Sequence, residues 1–150
     1  MAEVGAVCEH VHLPAQSGSS RVLKRMLRRY SREGYLQVVE RLRAAIPDLA
    51  ITTDIIVGFP GETDDEFEET LTLVREVGFD NAFTFKFSPR EGTPALKLPH
   101  AVPDEAAAEW RGRLESGRLV RARVESHPEI GTLDADVIAT RVTNTAQYCE

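Results

Sequence analysis

The chain has 150 residues, a formal charge of −6 at pH 7, 42% apolar residues and 28% charged residues. That suffices for one compact domain with a real core, and it is too acidic overall for a nonspecific nucleic-acid binder. No apolar run reaches membrane-spanning length and the start lacks a signal-peptide pattern, so a cytoplasmic location with no membrane partner is expected.

Two cysteines, Cys8 and Cys149, lie near opposite ends. They form no disulfide framework, so no disulfide-linked partner is expected. They are also too few for an iron–sulfur site, which takes about three or four thiolates.

Val7 to Leu13 reads as a short strand with His10 and His12 alternating along it. The Gln16-Ser17-Gly18-Ser19-Ser20 segment is a loop, and Ser19 or Ser20 can cap a following helix. In that helix Val22, Leu23, Met26, Leu27 and Tyr30 recur at helical spacing, which puts Arg28 late on it. Ser31 can cap the next helix, where Tyr35, Leu36, Val39, Leu42 and Ile46 line one face until Pro47. Lys24, Arg25, Arg28, Arg29 and Arg32 make a basic cluster, while carboxylates gather between Glu62 and Glu69. Both are expected to be mostly solvated helix faces.

The stretch Ile51–Thr63, ITTDIIVGFPGET, then carries the densest signal. A β-branched apolar run breaks at Gly58-Phe59-Pro60-Gly61 and restarts on a helix-opening Thr63. Strand, glycine turn and helix make one unit of an α/β sheet, and ligands bind where such strands end. Asp54 is the only charge in the strand. A carboxylate among apolar neighbours needs a hydrogen-bond partner, from the protein or from a ligand.

Thr63 and Glu66 match a capping box. Phe67, Leu71, Val74 and Val77 form the buried stripe of that helix, and Gly78 is its stop. Phe79 to Phe87 reads as a further strand, with Phe83, Phe85 and Phe87 on one side. Ser88 to Pro94 is a turn-rich loop, and Pro103-Asp104-Glu105 opens a last helix through about Leu114. Strands alternating with helices predict parallel pairing through right-handed crossovers. The expected fold is α/β, an open piece of about three or four strands rather than a closed eight-fold barrel. Leu119–Glu125 and Leu133–Thr143 alternate as strands do, so a small hairpin or a poorly ordered end is expected there.

Three constellations could carry chemistry. Gln16-Ser17-Gly18-Ser19 offers an amide, hydroxyls and close backbone approach to a sugar or other polar ligand. Arg28 could pair bidentately with a carboxylate. Asp54 beside the glycine turn could accept ribose hydroxyls, or could simply bond backbone amides. Cys8, His10 and His12 share one face of a strand, but a metal site draws ligands from more than one element, so no metal ligand is assigned. There is no nucleophile elbow, and Gly58-Phe59-Pro60-Gly61 lacks the Lys-Ser/Thr ending of a phosphate loop.

The strings CEHVHLPAQSGSSRVLKRMLRRYSREGY, AIPDLAITTDIIVGFPGETDDEFEETL and FDNAFTFKFSPREGTPA occur in that order. Together they resemble the radical-SAM tRNA methylthiotransferases, most nearly the MiaB type. That type places a methylthio group on C2 of N6-isopentenyladenosine at position 37 of certain tRNAs, beside the anticodon. The resemblance runs from Cys8 to about Leu114. It implies the second half of a radical-SAM TIM-like barrel over residues 1–116, with 117–150 a divergent start or remnant of an RNA-binding TRAM module. It also implies S-adenosyl-L-methionine as cofactor, with 4Fe–4S clusters in the parent enzyme, and the anticodon stem-loop of tRNA as partner. By the same resemblance Gln16, with Ser17 beside it, and Asp54 would bind the ribose. Arg28 would help hold the methionine part, and Ile56 to Gly58 would lie against the adenine, with Phe85 as neighbour.

The sequence departs from the family in several places. The C-x-x-x-C-x-x-C loop and the three N-terminal cysteines are absent, and Arg29 stands where glycine is usual. Met1 reads as an internal methionine, so the chain is expected to be a fragment, inactive alone, with an exposed edge at its first strand. Two alternatives accompany this reading. One is the related methylthiotransferase acting on threonylcarbamoyladenosine in tRNA, against which AFTFKFSPREGTPA argues. The other is a non-catalytic remnant that binds S-adenosyl-L-methionine or RNA.

Overall fold

The structure is a computed structural model that describes residues 9–90 and 92–116. The strands expected at Leu119–Glu125 and Leu133–Thr143, and Cys8, lie outside the described residues. Three parallel strands, β1 (His10–His12), β2 (Ala50–Val57) and β3 (Asn81–Lys86), form a sheet in the order β1-β2-β3. Helices α1 (Ser20–Arg25) and α2 (Arg32–Ala45) connect β1 to β2, α3 (Asp64–Val77) connects β2 to β3, and α4 (Asp104–Ser116) follows. A short 3-10 turn covers Pro94–Lys97.

This order has a physical consequence. Each crossover steps to the next strand in the same direction, and right-handed crossovers then put every helix on one face. The alternation of β2 records it: Ile51, Thr53, Ile55 and Val57 are buried, while Thr52, Asp54 and Ile56 are only half-buried. The buried set packs with Tyr35 and Val39 of α2, Phe67, Leu71 and Val74 of α3, and Trp110 and Leu114 of α4. Phe67 and Trp110 stack at 5.0 Å with rings 5° from parallel, an arrangement worth about 0.5–1.5 kcal/mol beyond its buried area. The opposite face carries no helix among the described residues. Phe83 and Phe85 of β3 remain 51% exposed there.

The open parallel sheet agrees with the expected α/β piece, and the helix signals of α2 to α4 hold. Ser31 caps α2 by accepting from the Gly34 N–H. Thr63 and Glu66 complete the capping box of α3, and Gly78 closes that helix in the left-handed region. β3 is shorter than periodicity predicts, whereas β2 runs as expected to Val57. Phe79 is not in β3 but in the core, beside Tyr35, and Asp80 turns the chain by accepting from the Ile51 N–H at 2.7 Å.

The first helix departs most from expectation. It ends at Arg25, so Leu27, Arg28 and Tyr30 are not helical. The Arg28 N–H bonds the Leu23 carbonyl, and the Leu27 N–H bonds the Lys24 carbonyl. That pair of bonds is a Schellman closure, which needs a left-handed residue between them. Leu27 fills the role with φ 59° and is 76% exposed. A β-carbon is unfavourable there and the side chain packs against little. Leu27→Gly is therefore expected to raise stability by about 0.5–1 kcal/mol in urea unfolding. A loss of stability would show that Leu27 is held by contacts instead.

Candidate functional site

The site is built where the strands end. After β1 the backbone runs on beside β2: the Gln16 N–H donates to the Asp54 carbonyl, and the Gln16 carbonyl accepts from the Ile56 N–H. Gln16 does this with φ 64°, a conformation that few side-chain-bearing residues adopt. Held strain of this kind is frequent at ligand sites. Gln16 is buried, and its Oε1 accepts from Arg28 Nη2 at 2.8 Å. The two residues singled out in sequence thus meet, although Arg28 reaches Gln16 from the turn after α1 and not from the helix.

Asp54, Ile56 and Phe85 come together on the open face. Asp54 pairs in register with Phe83, and Ile56 with Phe85. Asp54 keeps 30% of its side chain exposed, with His12 Nε2 3.4 Å from its Oδ2. Phe85 presents an exposed ring, and Gly58 follows at the end of β2 with φ 76°. A β-carbon on Gly58 would lie 2.7 Å from that of Ala107, so α4 sits close enough to demand glycine. The result is a carboxylate, an aliphatic side chain and an aromatic ring in one row, ending at a sharp glycine turn.

Ser17 is placed otherwise. Its hydroxyl is buried and bonded to the Ser19 N–H and the Thr70 hydroxyl, facing α3. Gly18 makes the same approach: its N–H donates to Thr70 Oγ1 at 2.9 Å. The close approach expected toward a ligand is, in the fold, an approach to a helix.

Sequence reasoning missed the groups that hold the glycine turn. Glu62 was read as part of a solvated acidic run, yet it is buried and its Oε2 accepts from the N–H groups of Gly58 and Phe59 at 2.7 and 3.1 Å. Burial pushes its carboxyl up to about 7, against the two N–H bonds that favour the charge. Arg21 bonds the Gly61 carbonyl and grips Glu66 bidentately, and Arg25 donates to the Pro60 carbonyl. Burial works against the Glu66 carboxylate, but Arg21 and Thr63 outweigh it and hold it below the ordinary range. The signal was available: a glycine turn leaves free N–H groups, and a carboxylate three or four positions on can cap them. A cleft of ≈ 680 Å³ opens beside these residues, lined by Arg21, Arg25, Glu62, Asp64, His100 and Trp110 among others. None of the open-face residues lines it, so it belongs to the scaffold of the turn.

The residues fit an adenosine better than they fit a metal cluster. A carboxylate at Asp54 and an apolar and aromatic surface at Ile56 and Phe85 could hold a nucleoside. No group of three or more His, Cys, Asp or Glu gathers as a metal site among the described residues. His10 and His12 both direct a ring nitrogen to Thr52. A 4Fe–4S cluster takes about three or four thiolates, and this sequence has two cysteines, far apart.

Comparison with known proteins shows what the chain is similar to. Residues 1–74 match the radical SAM superfamily. The chain is 59% identical over 116 residues to a tRNA-2-methylthio-N(6)-dimethylallyladenosine synthase of Geobacillus thermodenitrificans, covering 77% of this chain and 22% of that protein. Proteins of the same name from Caldicellulosiruptor saccharolyticus and Anoxybacillus flavithermus are 57% and 60% identical, over 76% and 77% of this chain and 24% and 22% of theirs. The chain thus spans roughly a quarter or less of the length of the curated relatives it matches. Within that span, the chain belongs to the radical SAM superfamily, in the family of the tRNA methylthiotransferases.

Proposed function

We propose that this chain is the nucleoside-binding half of a radical-SAM barrel that serves methylthio transfer to N6-isopentenyladenosine-37 of tRNA. Asp54 accepts the ribose hydroxyls of S-adenosyl-L-methionine, with Gln16 beside it. Ile56, Gly58 and Phe85 form the adenine wall, and Arg28, bonded to Gln16, meets the methionine carboxylate. S-adenosyl-L-methionine would supply the adenosyl group from which radical-SAM chemistry starts. The residues here bind and orient it, and no thiolate set for a cluster is among them. The last described element of the unit is α4, Asp104–Ser116. The anticodon stem-loop is the RNA partner, which places the work in the cytoplasm. No helix among the described residues is long and apolar enough to cross a membrane.

The observation that carries the reading is the row Asp54–Ile56 on β2 facing Phe83–Phe85 on β3, with Gln16 bonded between Asp54 and Ile56. Titration of S-adenosyl-L-methionine into the folded chain, followed by calorimetry, is expected to give binding heat. Asp54→Ala is expected to weaken it by about tenfold or more, the loss of a charged hydrogen-bond acceptor. No heat from a folded sample would sink the reading, and an unchanged affinity in Asp54→Ala would sink the assignment of Asp54.

A further inference from the structure

Asp54 has company on the open face. Thr52, two positions earlier on β2, presents its hydroxyl to two imidazoles: His10 Nε2 at 3.1 Å and His12 Nδ1 at 3.0 Å. The second nitrogen of His12, Nε2, lies 3.4 Å from Asp54 Oδ2. A hydroxyl has a single proton and two lone pairs, so it donates to at most one of the two rings. Suppose Thr52 donated to His10, or to neither ring. A neutral His12 would then give its Nδ1 proton to Thr52 and turn a lone pair at Nε2 toward the carboxylate. That sets two electron-rich atoms against each other. In the other direction every link is satisfied. His10 donates to Thr52, Thr52 donates to His12 Nδ1, and His12 presents an Nε2–H to Asp54.

We propose that His10, Thr52 and His12 form a relay that positions the Asp54 carboxylate for a vicinal diol. The relay engages Oδ2 from the side of β1 and leaves Oδ1 to the ligand. The inference rests on the reading of Asp54 as a ribose contact. His12 and Asp54 are 43% and 30% exposed, and an ion pair so open to water adds little to stability. Its contact is also longer than a good hydrogen bond, so its effect is on the direction of the carboxylate. Orientation of one polar group by a second has large effects on affinity in other sites, notably where a carboxylate fixes a histidine tautomer. Here the direction is reversed: the tautomer fixes the carboxylate.

The test uses the full chain in two measurements. Nitrogen-15 correlation spectra at about pH 8, where an ordinary imidazole is neutral, read the His12 tautomer. Calorimetry with S-adenosyl-L-methionine reads affinity. The Nε2–H form of His12 is expected in the wild type. Thr52→Val, which keeps the β-branched shape, is expected to shift His12 to a mixture and to weaken binding about tenfold. Thr52→Ser, which keeps the hydroxyl, is expected to restore both. A wild-type His12 in the Nδ1–H form overturns the relay, as does a Thr52→Val chain that binds with wild-type affinity. The Nε2–H form in a folded wild type that binds no ligand overturns the ribose reading of Asp54 and the relay's purpose with it, and the spectrum tells that failure from a failure of the relay itself.

Discussion

Gly18→Ala is expected to destabilise the chain by about 3 kcal/mol or more, the upper range for a single substitution. An added β-carbon would lie 2.4 Å from Thr70 Cα, 2.5 Å from the Glu69 carbonyl oxygen and 2.6 Å from the Thr70 nitrogen. All three are backbone atoms of α3, so no side-chain rotation relieves the overlap. The helix cannot step aside either. Phe67, Leu71, Leu73, Val74 and Val77 anchor it in the core, and Arg32 bonds the Glu69 carbonyl from the far side of the loop at 2.6 Å. Relief must come from the loop, at the expense of the Gly18 N–H bond to Thr70. Moving that loop also moves Gln16, so ligand affinity is expected to fall with stability. Gly112→Ala is the contrast. Gly112 lies within α4 and a β-carbon there meets nothing within 4 Å, so the change is expected to add about 0.5–1 kcal/mol through helix propensity. Urea unfolding of both variants checks the pair. A Gly18→Ala midpoint equal to wild type would show that the loop does not lie against α3 in solution.

The contrast shows which parts of this fold are legible in sequence. Signals whose partners are close in the chain read well. The Thr63–Glu66 capping box, the Ser31 cap and the β2 run each depend on a few consecutive residues, and each appears as expected. The end of α1 does not, because Met26, Leu27 and Tyr30 continue a helical spacing past the Schellman closure. What stops the helix is tertiary: Arg28 is drawn to Gln16, and Arg32 to the Glu69 carbonyl and Glu76. The site divides in the same way. Gln16, Arg28 and Asp54 were visible as residue types, and the family resemblance joined them. His12 and Thr52 meet only through the register of β1 on β2, which no local pattern specifies. Glu62 was hidden differently, because a carboxylate in an acidic run reads as solvated until the turn it caps is folded around it.

Glu62→Gln is expected to change how stability responds to pH. The folded-state pKa of Glu62 is raised from 4.5 to about 7, chiefly by burial. Well below the ordinary value the group is protonated in both folded and unfolded chains. Between the two values the folded chain holds a proton that the unfolded chain has released, so stability falls as pH rises. Above the folded value both are ionised and the loss is complete. The shift corresponds to about 3 kcal/mol lost across that window. Glutamine still offers an oxygen to the Gly58 and Phe59 N–H groups but does not ionise. Glu62 Oε1 is buried with no hydrogen-bond partner, and an amide nitrogen in its place is unpaired in the same way. That adds a constant offset which does not vary with pH. Glu66 and Glu33, both held low, act in the opposite direction, since their contributions are lost as pH falls. The quantity to follow is therefore the difference between variant and wild type. Urea unfolding at about pH 4.5, 6 and 8 is expected to show Glu62→Gln gaining about 3 kcal/mol on wild type from the lowest to the highest pH. A difference that stays constant across the series would mean that Glu62 ionises freely. The glycine turn at the end of β2 would then not be held by a buried carboxylate.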